Sequence, residues 1–164
     1  MDGTNCNPCE SPPLPEMRCS EMGVIVSYRD LDAWKSAMDL LLLAYGVASR
    51  LPTTERFELA AQMRRAAVSV PSNIAEGQAN GPGGRYRHHV RIALGSLAEL
   101  DTHVEAIRRL GYLAEEALSD LTNRLAQTGK IVHGLHRSLQ RRHLAVTGSV
   151  CVAILWLSST LLLS

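Results

Sequence analysis

Four stretches of this chain set apolar residues alternately three and four positions apart, and that spacing leaves few folds open. Leu31, Trp34, Met38, Leu41, Tyr45 and Ala48 make the first stripe; Ala60, Met63, Ala67, Val70 and Ile74 make the second, with Phe57 expected to pack one turn earlier. Val90, Ala93, Leu97, Leu100, Val104 and Ile107 make the third. Leu118, Leu121, Leu125, Val132, Leu135 and Leu139 make the fourth, with Thr128 in the stripe position that is not apolar. Such a spacing keeps side chains on one face of an α-helix, whereas a half-buried strand needs a period of two. Each helix then has one face to bury. Short connections make successive helices antiparallel neighbours, so the expected fold is all-α: an antiparallel up-down-up-down four-helix bundle over residues 24–143. The scarcity of aromatics, two Trp, four Tyr and one Phe, agrees, because sheets draw on aromatic and β-branched residues.

Punctuation supports the same division. Asp30 is a suitable N-cap for the first helix, Asp32 complements its positive end, and Leu51-Pro52 ends it. Thr53 or Thr54 is suited to cap the second helix, and Gly77 with the glycine-rich residues 80–84 stops it. The third helix starts near Arg85, and Gly111 suits a left-handed C-cap. Pro71 lies inside the second stripe, where it removes an amide donor and predicts a kink. Ser69, Ser72 and Asn73 are placed to satisfy the freed groups, with Glu76 one turn beyond. Together with Ser96 and Glu99 they form a candidate polar network that fixes helix register, the competing reading being a ligand site.

The flanks differ from the bundle. Residues 1–23 hold Asp2, Glu10, Glu16 and Glu21 against Arg18, prolines that include those at 12, 13 and 15, and no apolar periodicity; a disordered leader is expected, with Met17 and Met22 as alternative starts. Cys6, Cys9 and Cys19 would give three zinc ligands, but the leader has no histidine to complete the set. Residues 144–164 carry no charge and follow Arg141-Arg142-His143. That tail is long enough to cross a bilayer with the bundle held in the cytoplasm, although its serines and threonines weaken the reading.

Catalysis is not expected. A two-metal bundle needs inward carboxylates and two Glu-x-x-His pairs, whereas here Glu99 and His103 are four apart with no matching second set. No glycine-rich phosphate loop follows a strand, and no cofactor is implied. Net charge is +1, but the chain from 123 to 143 has five Lys and Arg residues and no acid. Arg64, Arg65, Arg85, Arg87, Arg91, Arg108, Arg109, Arg137, Arg141 and Arg142 are therefore candidate contacts for RNA or DNA, since arginines neutralise phosphates without sequence choice. A solvated helix face, or arginines paired with Glu58 or Glu99, is the alternative.

Residues 28–34 (Tyr-Arg-Asp-Leu-Asp-Ala-Trp), residues 62–77 and residues 92–100 together resemble the four-helix-bundle proteins encoded by intervening sequences in bacterial 23S ribosomal RNA genes. That family is similar to the accessory variability determinant of diversity-generating retroelements. The resemblance covers about residues 24–142, and Ser72-Asn73-Ile74-Ala75-Glu76-Gly77 and Gly95-Ser96-Leu97-Ala98-Glu99 look like its signature. It implies a homo-oligomer, a ring-like pentamer with basic surfaces. In the retroelement branch it also implies binding to nucleic acid and to a reverse transcriptase. Residues 81–84 depart from the family's basic loop, although Arg85, Tyr86, Arg87, His88 and His89 follow them. The remaining reading is a structural or protein-partner module, tail-anchored if the last segment enters a membrane.

Overall fold

The structure is a computed structural model that describes residues 27–161, with side chains described for residues 27–141. Four helices form it: α1 Asp32–Ala48, α2 Leu59–Ala79, α3 Gly84–Leu110 and α4 Glu115–Leu161. Each packs on two others, α1 on α2 and α4, and α3 on α2 and α4, which closes a square ring around one core. Cross-helix pairs fix the directions. Gly77 faces Tyr86, Asn73 bonds His89 and Ser69 bonds Ser96, so α2 descends as α3 ascends. Ser36 bonds Thr128 and Asp39 pairs with Arg124, which sets α1 against α4 in the same manner. The up-down-up-down bundle expected from the stripes is the observed fold.

The second and third stripes lie in the core without exception, from Ala60 to Ile74 and from Val90 to Ile107. In α4, Leu118, Leu121, Thr128 and Val132 are buried, while Leu125, Leu135 and Leu139 pack along the core's margin. The first stripe holds at its ends, where Leu31 and Ala48 are buried, and is corrected between them. α1 buries Ala33, Ala37, Leu40, Ala44 and Val47, each one position before a residue expected inside. One residue is about 100° of rotation, so Trp34, Met38 and Leu41 end half-buried and Tyr45 exposed. Small residues win the inner face because alanines let helix axes approach closely, and Leu40 alone fills the gap between them.

Helix starts also differ from the expected ones. Asp30 does not cap α1: it completes a capping box with Ser27 around a 3-10 turn, Tyr28–Asp30, its carboxylate accepting from the Ser27 amide at 3.0 Å while Ser27 Oγ accepts from the Arg29 amide at 3.2 Å. Thr53 opens a separate 3-10 turn, Thr53–Glu55, and neither it nor Thr54 caps α2, which begins at Leu59 without a side-chain cap. Phe57 is 81% exposed in that connection, packed by no core residue. Gly77 does not stop α2; the helix runs on to Ala79. Gly111 does take the left-handed conformation expected of it, with φ 69°.

α2 is continuous through Pro71. Among the described residues no helix is long and apolar enough to cross a membrane. The leader, the thiols in it and the tail's side chains lie outside the described residues.

Candidate functional site

The arginines proposed as phosphate contacts divide into two populations. At one end of the bundle Arg108 bonds both Glu105 and Glu115, at 2.7 Å from Nε to the latter, and Arg109 bonds Glu105 at 2.7 Å. Hydrogen bonds from Arg109 and then Arg108 hold the Glu105 carboxyl below the usual range, and Arg108 does the same to Glu115. Nearby, Tyr112 donates to Glu55 at 2.8 Å, and that bond raises the phenol's pKa. This end ties the α3–α4 connection to the α1–α2 connection, and Arg108 and Arg109 are spent there on carboxylates. Arg64 is also committed: its Nη2 donates to the Ala48 carbonyl at 3.3 Å and its guanidinium lies over the Tyr45 ring.

The other population gathers on the α3–α4 side at the opposite end. The two helices border an open groove of about 620 Å³, floored by Leu94, Leu97 and Leu125 and edged by Lys130, His133 and Arg137, with Asp101 the acid in its lining. Lys130, His133 and Arg137 follow one another at spacings of three and four, so they share a face of α4. Arg87 and Arg91 stand beside them on α3. Burial first, then the charges of Arg91, His133 and Arg87, lower the pKa of His136, which places all four in one electrostatic cluster. The Nε2 of His136 is enclosed and has no hydrogen-bond partner among the described residues. Arg87, Arg91, Lys130, Arg137 and Arg141 make no ion pair among the described residues. Arg85 is exposed in the first turn of α3 and Arg65 on α2, while the side chain of Arg142 lies outside the described residues. Sequence reasoning did not single out His133 and His136 as part of this cluster. The signal was the heptad-like spacing from Lys130 to Arg137.

The predicted polar network exists as a seam between α2 and α3, with altered membership. Ser96 Oγ donates to Ser69 Oγ at 2.8 Å and shares its proton with the Ile92 carbonyl at 3.1 Å. Asn73 Nδ2 donates to the Ser69 carbonyl at 2.9 Å and lies 3.1 Å from Ser69 Oγ. That orientation leaves Asn73 Oδ1 as an acceptor, so the His89 Nδ1 at 3.2 Å carries the proton and donates. The same nitrogen is 3.7 Å from Glu76. His89 is thus a member that the sequence reading missed, because only the antiparallel register brings it to Asn73. Ser72 is exposed and outside the seam, and Glu99 faces His103 at 3.7 Å on its own helix. A bonded network with its members matched to one another fixes register. Where the seam ends, Gly77 lies against Tyr86 so closely that an added Cβ would fall 2.7 Å from the ring's Cδ2. The glycine of the signature's Glu-Gly is a packing requirement.

A third surface lies opposite the basic groove. The displaced α1 stripe, Trp34, Met38, Leu41 and Tyr45, borders α2, as the Arg64–Tyr45 contact shows, and Val68, one turn beyond Arg64, is 39% exposed beside it. Tyr28 closes its end edge-on to Trp34, with ring centroids 5.3 Å apart. The bundle has an apolar side and a basic side. Among the described residues no group of three or more His, Cys, Asp or Glu side chains is arranged to hold a metal.

Comparison with known proteins places these features. The sequence model of a family described as "23S rRNA-intervening sequence protein" matches residues 29–134. The search of curated proteins finds no match. Among solved structures, a Bacteroides thetaiotaomicron protein of unknown function from the S23 ribosomal protein family superposes with a TM-score of 0.59 at 17% identity, covering 64% of this chain and 95% of that one. At that identity the likeness is one of fold.

Proposed function

The chain belongs to the 23S rRNA-intervening sequence protein family, and from that premise we propose that it is a non-catalytic, homo-oligomeric bundle that binds RNA or DNA through its α3–α4 side. The observation that carries the reading is a separation among the candidate cations: Arg108 and Arg109 are paired with Glu105 and Glu115, whereas Arg87, Arg91, Lys130, Arg137 and Arg141 on the α3–α4 side make no ion pair among the described residues, Lys130 and Arg137 lining the groove. Open cations on a rigid helix pair attract phosphates and release counterions, giving affinity without base choice. In this role the protein acts in the cytoplasm as an accessory to a larger nucleic-acid enzyme, a reverse transcriptase being one such partner.

Self-association draws support from the apolar side. Trp34, Met38, Leu41 and Tyr45 make a contiguous row of partly exposed apolar side chains, the kind of patch that marks interaction surfaces, and a ring of copies, a pentamer in the family's manner, would cover it. The experiment is a salt titration of binding to single-stranded RNA and to duplex DNA, with light scattering for mass. Five open cations give a log–log salt slope of about −3.5 on single strands, at about −0.7 per phosphate. Binding that ignores salt, or a protein that stays monomeric at all concentrations, removes the corresponding half of the proposal.

A further inference from the structure

The groove between α3 and α4 has a floor and a rim of different chemistry, and phosphate contacts use the rim alone. Leu94 and Leu125 are half-buried on the core's margin and turn their remaining surface into the groove. The register that joins Arg108 to Glu115 sets Ala98 level with Ala126 and Leu94 level with Gly129, so small residues leave the space above the leucines open. Lys130, His133 and Arg137 edge that space on α4, towards the 80–83 connection, while Asp101 stands at the end nearer Arg108. Cations and acid thus occupy opposite ends of an apolar trough about 18 Å long, the rise of α4 from Leu125 to Arg137.

Polyanions differ in what they bring to such a surface. A duplex stacks its bases inside and presents phosphates and sugars outwards, so it reaches the rim and leaves the leucines in water. An unpaired strand carries the same phosphates with its base faces free. We propose that the groove holds unpaired nucleotides, with bases laid over Leu94, Leu125 and the His133 ring and phosphates on Lys130 and Arg137, so that the protein selects single strands over duplexes. This selection rests on the nucleic-acid reading and adds the strand state to it. Charge alone points the other way: a duplex has the denser phosphates, and its salt slope per contact is about 0.9 against about 0.7 for a single strand. A preference for single strands therefore reports contact with bases, whose faces stack on side-chain rings whatever their sequence.

Three probes separate floor from rim on the full chain: a labelled single-stranded DNA, the same strand annealed to its complement, and an abasic strand of equal length. The single strand binds about tenfold more tightly than either of the others at one salt concentration, on the order of what burying one base's share of apolar surface supplies. Ala126 is exposed in the lining, so Ala126→Leu fills the trough and leaves every cation in place. It lowers single-strand affinity about tenfold, with the salt slope, the duplex affinity and the circular dichroism of the unaltered chain retained. A duplex or an abasic strand bound as tightly as the single strand overturns the selection while the nucleic-acid reading stands, and so does wild-type single-strand affinity in Ala126→Leu. An acidic, leucine-rich peptide that displaces the strand and itself binds more tightly assigns the groove to a protein partner and overturns it as well. If none of the three probes binds at low salt, the nucleic-acid reading fails and the selection goes with it. The probe comparison uses the unaltered chain, so it decides the matter even if the variant does not fold.

Discussion

Gly77 and Gly95 are both helical glycines, and the structure assigns opposite signs to the same substitution at the two sites. In the interior of a helix, Gly→Ala is favourable by about 1 kcal/mol, because alanine has less backbone freedom to lose on folding. At Gly95 nothing lies within 4 Å of an added Cβ, so this term stands alone and Gly95→Ala stabilises by about 1 kcal/mol. At Gly77 the new methyl meets Tyr86 Cδ2 at 2.7 Å, His89 Cβ at 3.0 Å and Tyr86 Cε2 at 3.2 Å. None of these atoms is the free end of a flexible chain: the tyrosine ring is buried, and the histidine Cβ moves only with α3. Relief requires α3 to shift or Tyr86 to leave its rotamer, and overpacking of that kind costs about 1–3 kcal/mol. Subtracting the propensity gain leaves Gly77→Ala destabilised by about 0–2 kcal/mol, and the two variants apart by about 1–3 kcal/mol. Urea denaturation followed by circular dichroism, at matched protein concentration, measures both. If Gly77→Ala proves as stable as Gly95→Ala, the close approach of α2 and α3 at Tyr86 is not what the glycine serves.

Other outcomes follow from the same geometry. Thr128→Val strands the buried Ser36 hydroxyl, whose partner sits at 2.8 Å, and costs about 1–2 kcal/mol in urea denaturation; adding Ser36→Ala recovers part of the loss because both polar groups are then gone. His136 has its pKa lowered by burial and by Arg91, His133 and Arg87, so the unfolded chain takes up this proton first. Its contribution to stability is therefore intact above the free value of 6.5 and falls as pH drops through that value and the lower folded one. His136→Gln flattens the corresponding part of a stability-against-pH profile, and a profile unchanged by that variant contradicts the assignment. In the RNA salt titration, Arg91→Gln/Arg137→Gln makes the slope shallower by about 1.4, at about 0.7 per lost phosphate contact. Arg108→Gln leaves that slope unchanged, since Glu105 and Glu115 already neutralise this guanidinium.

The legibility of the sequence varied by helix for a physical reason. In α2, α3 and the first part of α4 the larger apolar residues fall mainly on one face, with exceptions such as Val68 and Ile92, so spacing alone gave the buried set. α1 carries them on two, with Leu40, Leu41, Leu42 and Leu43 in an unbroken run. Size favoured Trp34 and Met38 for the core, whereas close packing favoured Ala33 and Ala37, and a stripe one residue out of phase has the same period as the right one. Period cannot decide phase. The seam was half legible because Ser69, Asn73 and Ser96 break apolar patterns visibly, whereas the role of His89 depends on counting outward from residues 80–83 along both helices. The division of arginines into paired and open depends on which acids share an end of the bundle, and that is a tertiary fact. Asp30 misled because an N-cap and the acid of a capping box use the same side chain, and only the position of Ser27 distinguishes them.

The Ser36–Thr128 bond joins the first helix to the last across 92 residues of chain. The cost of closing a loop rises with its length, so the α2–α3 hairpin, joined by four residues, is the cheap closure and the α1–α4 seam the expensive one. During synthesis α1 emerges first and finds only one of its two neighbours until α4 has been made. In that interval Ala33, Ala37, Leu40 and Ala44 face an unfinished wall. The helix with two apolar faces is also the helix that waits longest for its partner, and its second apolar face gives the growing chain another surface to hold against α2 until the ring shuts. Folding kinetics in which substitutions at Ser36 slow folding more than substitutions at Ser96 would reverse this order.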